Sequence, residues 1–222
     1  MKLQIDFITQ QSNAIRNDCG AACIAMVAGT SIDKALAAGH TKPGQPMHMT
    51  AIVDALTAYR LPHDYVRPLH LPHIRESLAR GWPVIALVNY GRLPDGLKAT
   101  DYDGNHYVVV TGFLRDAFLV HDPLWPDQRG AWVRWPDVVL GEALANPTDA
   151  QPMQGIVVRQ EREISQPDMG ELGLVVSTAL AHGTVAGYLE QLYQAMEIAP
   201  GPLAERQGHA LARVQVWKAG EK

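Results

Sequence analysis

Two β-branched runs in the middle of the chain, His106 to Phe113 and Ala117 to Val120, are separated only by Leu114-Arg115-Asp116. Three residues cannot make the crossover that parallel strands require, so the pair predicts an antiparallel hairpin. The short apolar run Pro83 to Val88 reads as a central strand, and Ala131 to Trp135 and Gly155 to Arg159 as two more. Upstream the pattern is helical. Cys19 to Ala28 is rich in small and apolar residues, with Asn17 or Asp18 as its cap and Gly29 as its stop. A second helix from Ser31 to Ala38 is capped by Ser31. Apolar residues at 52, 53, 56 and 59 mark a third, Thr50 to Tyr59, after a Pro/Gly-rich loop at 42–48. Leu71 to Arg80 is a fourth, with Pro72 in its first turn, and Trp135 to Ala145 a fifth. Residues 1–18 read as a short strand or arm and a polar loop. Helices first and antiparallel strands second define an α+β class, with N-terminal helices packed on a C-terminal antiparallel sheet.

Composition narrows the function. Hydrophobic residues make up 47% of the 222, too many for a disordered chain. A formal charge of −4 without a Lys/Arg run argues against a nucleic-acid partner. The N-terminus lacks the signature of a signal peptide, and no run approaches the ~18 apolar residues of a membrane span. A cytoplasmic location is expected, with a role inside a larger bacterial or phage assembly left open. A composition shift near Arg159 divides the chain into a domain over 1–159 and an extension over 160–222. Helices at Val185–Met196 and Leu203–Trp217 would give that extension an apolar stripe for a protein partner or a second copy.

Chemistry enters through the two cysteines, four residues apart and badly placed on a helix to bridge each other. Cys19 opens its helix, where free backbone N–H groups and the positive end of the dipole favour a thiolate. Gly20 behind it leaves room for a substrate backbone, while Cys23, one turn deeper, reads as core. A thiol nucleophile needs a base, and the base an orienting carboxylate. His106 begins one hairpin strand and Asp122 follows the end of its partner, so the hairpin can hold the two side by side. Gln10, Gln11 and Asn13 are available upstream as side-chain donors to an oxyanion. Trp125, Trp132 and Trp135 cluster after Asp122, as core or as a shield for the pair. His70, His73 and His121 lack zinc-ligand spacing, and Asp101-x-Asp103-Gly104-Asn105 misses that of a calcium loop, so neither metal nor cofactor is expected.

A glutamine ahead of Asp18-Cys19-Gly20-x-x-Cys23, then His106-Tyr107-Val108-Val109-Val110, then Val120-His121-Asp122-Pro123, resembles the C39 group of papain-like cysteine peptidases over residues 4–159. The best-known members process bacteriocin leaders and are often fused to an exporter. The resemblance implies a papain-like fold, Cys19 as nucleophile, His106 as general base and acid, Asp122 as orienting group and Gln11 as oxyanion donor. Gln11 precedes the cysteine by eight residues, more than in the family, so Gln10 and Asn13 stay open for that role. The implied activity is hydrolysis of a peptide or similar amide bond through a thioester. A peptidase-like binding or assembly module, and an acyl transferase using the same thiol, are the alternatives.

Overall fold

Small side chains make the first helix, α1 (Cys19–Ala28), the centre of the molecule. Every residue from Gly20 to Val27 is buried, because alanine and glycine let neighbouring backbones close on all sides of it. The computed structural model describes residues 1–10, 17–145, 147, 152–160, 162 and 164–165. The helices expected at 185–196 and 203–217 lie outside them. Gly29 ends α1 in the left-handed conformation at φ 62° and returns its N–H to Ala25 O. Asp18 occupies the cap position, but its side chain does not cap the helix. Its Oδ1 accepts from Gly44 N–H at 3.3 Å, and Asn17 Nδ2 donates to Gly44 O at 3.1 Å. The two polar residues expected to cap α1 instead hold the 42–48 loop against its start.

The other helices are α2 (Ile32–Ala38), α3 (Met49–Ala58), α4 (Leu71–Ala79) and α5 (Asp137–Ala145). Ser31 accepts from Lys34 N–H as the cap of α2, and Pro72 lies in the first turn of α4. The strands are β1 (Lys2–Leu3), β2 (His63–Val66), β3 (Val84–Asn89), β4 (Asn105–Phe113), β5 (Ala117–His121), β6 (Val133–Pro136), β7 (Gly155–Val158) and β8 (Ile164–Ser165). They form one sheet in the order β2-β7-β3-β4-β1-β8, with β5 pairing β4 and β6, and every pairing is antiparallel. Past β7, residues 159, 162 and 164–165 stay on this body. Arg159 N–H bonds Pro62 O, the Arg162 guanidinium bonds Val27 O, and β8 pairs with β1.

Three departures from the sequence reading have local causes. β2 carries little apolar signal because it is an edge strand with two exposed residues, and it is held by four pairings with β7. The strand expected from Ala131 begins at Val133, since Trp132 sits at φ 56° after a 3₁₀ turn at 128–130. Trp135 belongs to that strand rather than to α5. It pairs with Phe118 and is fully buried in the core.

The N-terminal arm is stitched to β5. His121 is completely buried, its Nε2 bonded to Ile5 O at 3.0 Å and its Nδ1 accepting Trp132 N–H at 3.0 Å. Phe7 and Trp132 meet its ring edge-on, and Lys2 Nζ lies 3.4 Å over Trp132. Gly112 permits the closest approach of the arm, because a Cβ there would fall 2.5 Å from the Met1 carbonyl oxygen.

Backbone cannot yield as a side-chain tip can, so Gly112→Ala should destabilise the fold by about 1–3 kcal/mol in chemical denaturation. Burial, opposed by the bond to Ile5 O, pushes the His121 imidazole down to about 4, while in the unfolded chain it titrates near 6.5. The stability it contributes as a neutral ring is complete above pH ~6.5 and is lost as pH falls toward 4, by on the order of 3 kcal/mol. The stability gap between the native chain and His121→Gln should therefore narrow over that range when both are unfolded by denaturant from pH 7 to 4.

Candidate active site

Register decides which side chains of the sheet share a face. Val88 pairs with His106, and Val109 with His121. One residue past β5, the second pairing sets Asp122 opposite Val108, on the face of His106 and diagonal to it. Two residues past Val88, the first sets Tyr90 opposite Gly104, and Tyr90 N–H bonds Gly104 O at 2.8 Å. His106, Asp122 and Tyr90 thus leave three neighbouring strands on one face. α1 packs against β4 there and brings Cys19.

The imidazole and the carboxylate are both buried, with His106 Nε2 2.8 Å from Asp122 Oδ1. The same oxygen accepts Leu124 N–H at 3.0 Å, and Oδ2 accepts the Tyr90 hydroxyl at 2.8 Å. The Tyr90 ring meets His106 edge-on, centroids 5.0 Å apart. With Nε2 committed to an acceptor, Nδ1 is the ring nitrogen left for the sulfur, and the His106 imidazole acts on the Cys19 thiol.

Opposed effects set the charge states. Burial alone would raise the Cys19 thiol, but the hydrogen bond and charge of His106, with the backbone N–H groups of Tyr107 and Gly20, hold it below its ordinary value. Burial alone would lower His106, but Asp122 and Cys19 push it up to about 9. Both effects move the pair toward thiolate and imidazolium. Cys23 is buried, and desolvation next to Cys19 and Asp122 pushes its thiol well up. Cys19 itself is half-buried.

Other expected residues fall in different places. Gln11 and Asn13 lie outside the described residues. Gln10 is buried, and its N–H bonds Pro123 O at 2.9 Å, beside Asp122. A Cβ on Gly20 would meet Met47 Cβ at 3.0 Å and Ile52 Cδ1 at 3.4 Å, so the room it leaves is used for packing rather than for substrate. Trp125 and Trp132 are half-buried; Arg129 lies over the first, and the second covers His121. His70 and His73 face each other, with ring centroids 5.6 Å apart, while His121 is taken up by Ile5 and Trp132. Among the described residues no group of three or more His, Cys, Asp or Glu side chains is arranged to hold a metal ion. The residue that sequence reasoning missed is Tyr90. Its signal was the odd-even pattern of β3 continued past Asn89, readable only once Val88 is known to face His106.

The chain belongs to the Peptidase_C39 like family, whose model matches residues 2–138. Its fold is similar to that of a protein from Bacillus anthracis described as a C39-like peptidase, at 15% identity and TM-score 0.54, covering 73% of this chain and all of that one. It is also similar to the peptidase domain of Streptococcus ComA, a bifunctional ABC transporter, at 19% identity and TM-score 0.50, covering 71% of this chain and all of that one. No curated protein matches the chain. The architecture is the papain-like one, with helices on an antiparallel sheet.

At pH 7 iodoacetamide should modify Cys19 at least ~10-fold faster than Cys23, because only the thiolate reacts. In His106→Ala the Cys19 rate should fall toward that of an ordinary thiol, read by mass spectrometry of the two cysteine-containing peptides.

Proposed function

We propose that the protein is a cysteine peptidase that hydrolyses a peptide bond through a thioester acyl-enzyme formed on Cys19. The observation that carries this reading is the buried His106–Asp122 pair, Nε2 2.8 Å from Oδ1, placed where the imidazole lowers the Cys19 thiol. Membership of the C39 family supports it.

In this mechanism the Cys19 thiolate attacks the carbonyl carbon of the scissile bond, and the oxygen takes up the charge. The α1 N-terminus supplies a backbone N–H at Cys19 for that oxyanion, and Gln11 is the proposed side-chain donor. His106, protonated at Nδ1, gives that proton to the leaving nitrogen as the C–N bond breaks and the tetrahedral carbon collapses to the thioester. His106 then takes a proton from water, whose oxygen attacks the thioester carbon. The second tetrahedral species collapses, expels the Cys19 thiolate and releases the carboxylic acid, and the proton stays on His106. Asp122 holds Nε2–H throughout, so the ring keeps one orientation and its cationic form is stabilised. The substrate is a peptide or protein segment.

A peptide library prepared from digested cell protein, with its ends blocked, offers a substrate-independent test. Incubation with the full chain should create new termini, identified by mass spectrometry, and Cys19→Ala should create none while keeping its circular dichroism spectrum. Asp122→Ala should retain a residual rate, lower by about 10²–10⁴-fold. A folded native chain that leaves such libraries and folded protein substrates uncut would overturn the assignment.

A further inference from the structure

One buried group at the site has no part in the proton transfers, the hydroxyl of Tyr90. Its ring is fully buried. The hydroxyl donates to Asp122 Oδ2 at 2.8 Å and accepts Ala99 N–H at 2.7 Å. Ala99 lies in the excursion between β3 and β4, which is closed on itself. Tyr90 N–H bonds Gly104 O, Lys98 Nζ bonds Gly91 O at 3.3 Å, and a Cβ on Gly91 would fall on the Asp103 carboxylate. The ring of Tyr102, near the end of the same excursion and half exposed, stands 6.3 Å from that of Tyr90.

We infer that Tyr90 is a positioning residue: its hydroxyl fixes the orientation of Asp122 by tying Oδ2 to the Ala99 N–H of the 90–104 excursion, and through Asp122 it sets the charge state of His106 and Cys19. The argument is geometric. Asp122 Oδ1 already takes two donors, His106 Nε2 and Leu124 N–H. A carboxylate held at one oxygen alone can still turn about its Cβ–Cγ bond and draw Oδ1 out of line with the imidazole. The Tyr90 hydroxyl removes that freedom. It is in turn prevented from rotating away, since the Ala99 N–H occupies its lone pair and leaves its proton aimed at Oδ2. Burial and the Asp122 charge keep the phenol protonated far above neutral pH, so the donor is always present.

This inference rests on the thiol–imidazole–carboxylate reading, and its test needs no substrate. Tyr90→Phe keeps the ring and removes the donor. With Asp122 free to turn, the imidazolium loses stabilisation, so the Cys19 thiol should titrate higher and His106 lower. The rate of Cys19 alkylation against pH should show both limbs moving inward, with the neutral-pH rate down on the order of tenfold, the usual worth of a hydrogen bond to a charged group. In an Asp122→Ala background the same change should alter the rate less than twofold, because the hydroxyl acts through the carboxylate. A merely structural hydroxyl would lower the melting temperature and leave both limbs in place, and that result overturns the inference. Should Tyr90→Phe not fold, hydrogen exchange at the Ala99 amide decides. Loss of the carboxylate in Asp122→Ala frees the Tyr90 hydroxyl and should speed that exchange at least ~10-fold relative to the native chain, and an unchanged rate overturns it. Failure of the catalytic reading looks different, since Cys19 alkylation in the native chain would then be indifferent to His106→Ala.

Discussion

A fully buried carboxylate is the constraint on which the site is built. Asp122 has no exposed surface, and an isolated carboxylate in such a place costs several kcal/mol unless donors surround it. Here three do: Leu124 N–H, the Tyr90 hydroxyl and His106 Nε2. Each comes from a different segment, the turn after β5, the end of β3 and the start of β4. The charge therefore acts as a clamp on the sheet. Its satisfaction requires the register β3–β4–β5 to be correct to the residue, and a slip of one residue would turn His106 to the opposite face. Site assembly and strand register are one requirement.

The N-terminal arm extends the clamp. Thr9 Oγ1 and Gln10 N–H both bond Pro123 O, the carbonyl immediately after Asp122. Two residues earlier on β5, Val120 packs in the core, and His121 between them holds Ile5 O. The arm over residues 5–10 is thus anchored on the same turn that carries the carboxylate. Thr9 and Gln10 of the arm and the turn carrying Asp122 take their position from one short stretch of hairpin.

The hairpin, its neighbouring strand β3 and the four N-terminal helices were legible in the sequence because each has a periodic apolar pattern or a short connection with one geometric solution. So was the pairing of His106 with Asp122, since the short hairpin connection puts the two on adjacent strands. What escaped was set by tertiary context. β2 has a polar face because it is an edge. Trp135 reads equally as the start of a helix or the end of a strand, and pairing with Phe118 decides it. Tyr90 follows an unbroken apolar run and looks like more core; only the offset of β3 against β4 reveals that its hydroxyl meets a charge. Gly20 misled for the same reason, its open side being filled by Met47 from a loop without a pattern of its own.

Asp18 shows how the same residue type can help or harm beside a thiolate. A carboxylate that capped α1 would accept from the first-turn N–H groups and compete with the sulfur for the positive end of the helix. It would also set a negative charge against the developing thiolate. In the structure the Asp18 side chain turns away to Gly44 N–H. Burial raises its carboxyl, an effect that the Gly44 bond tempers. The backbone N–H of Gly20 is left for the sulfur and helps to lower its pKa. The capping position is filled by a good capping residue whose side chain is spent elsewhere. The 42–48 loop gains an anchor, and the helix terminus keeps its donors for the sulfur.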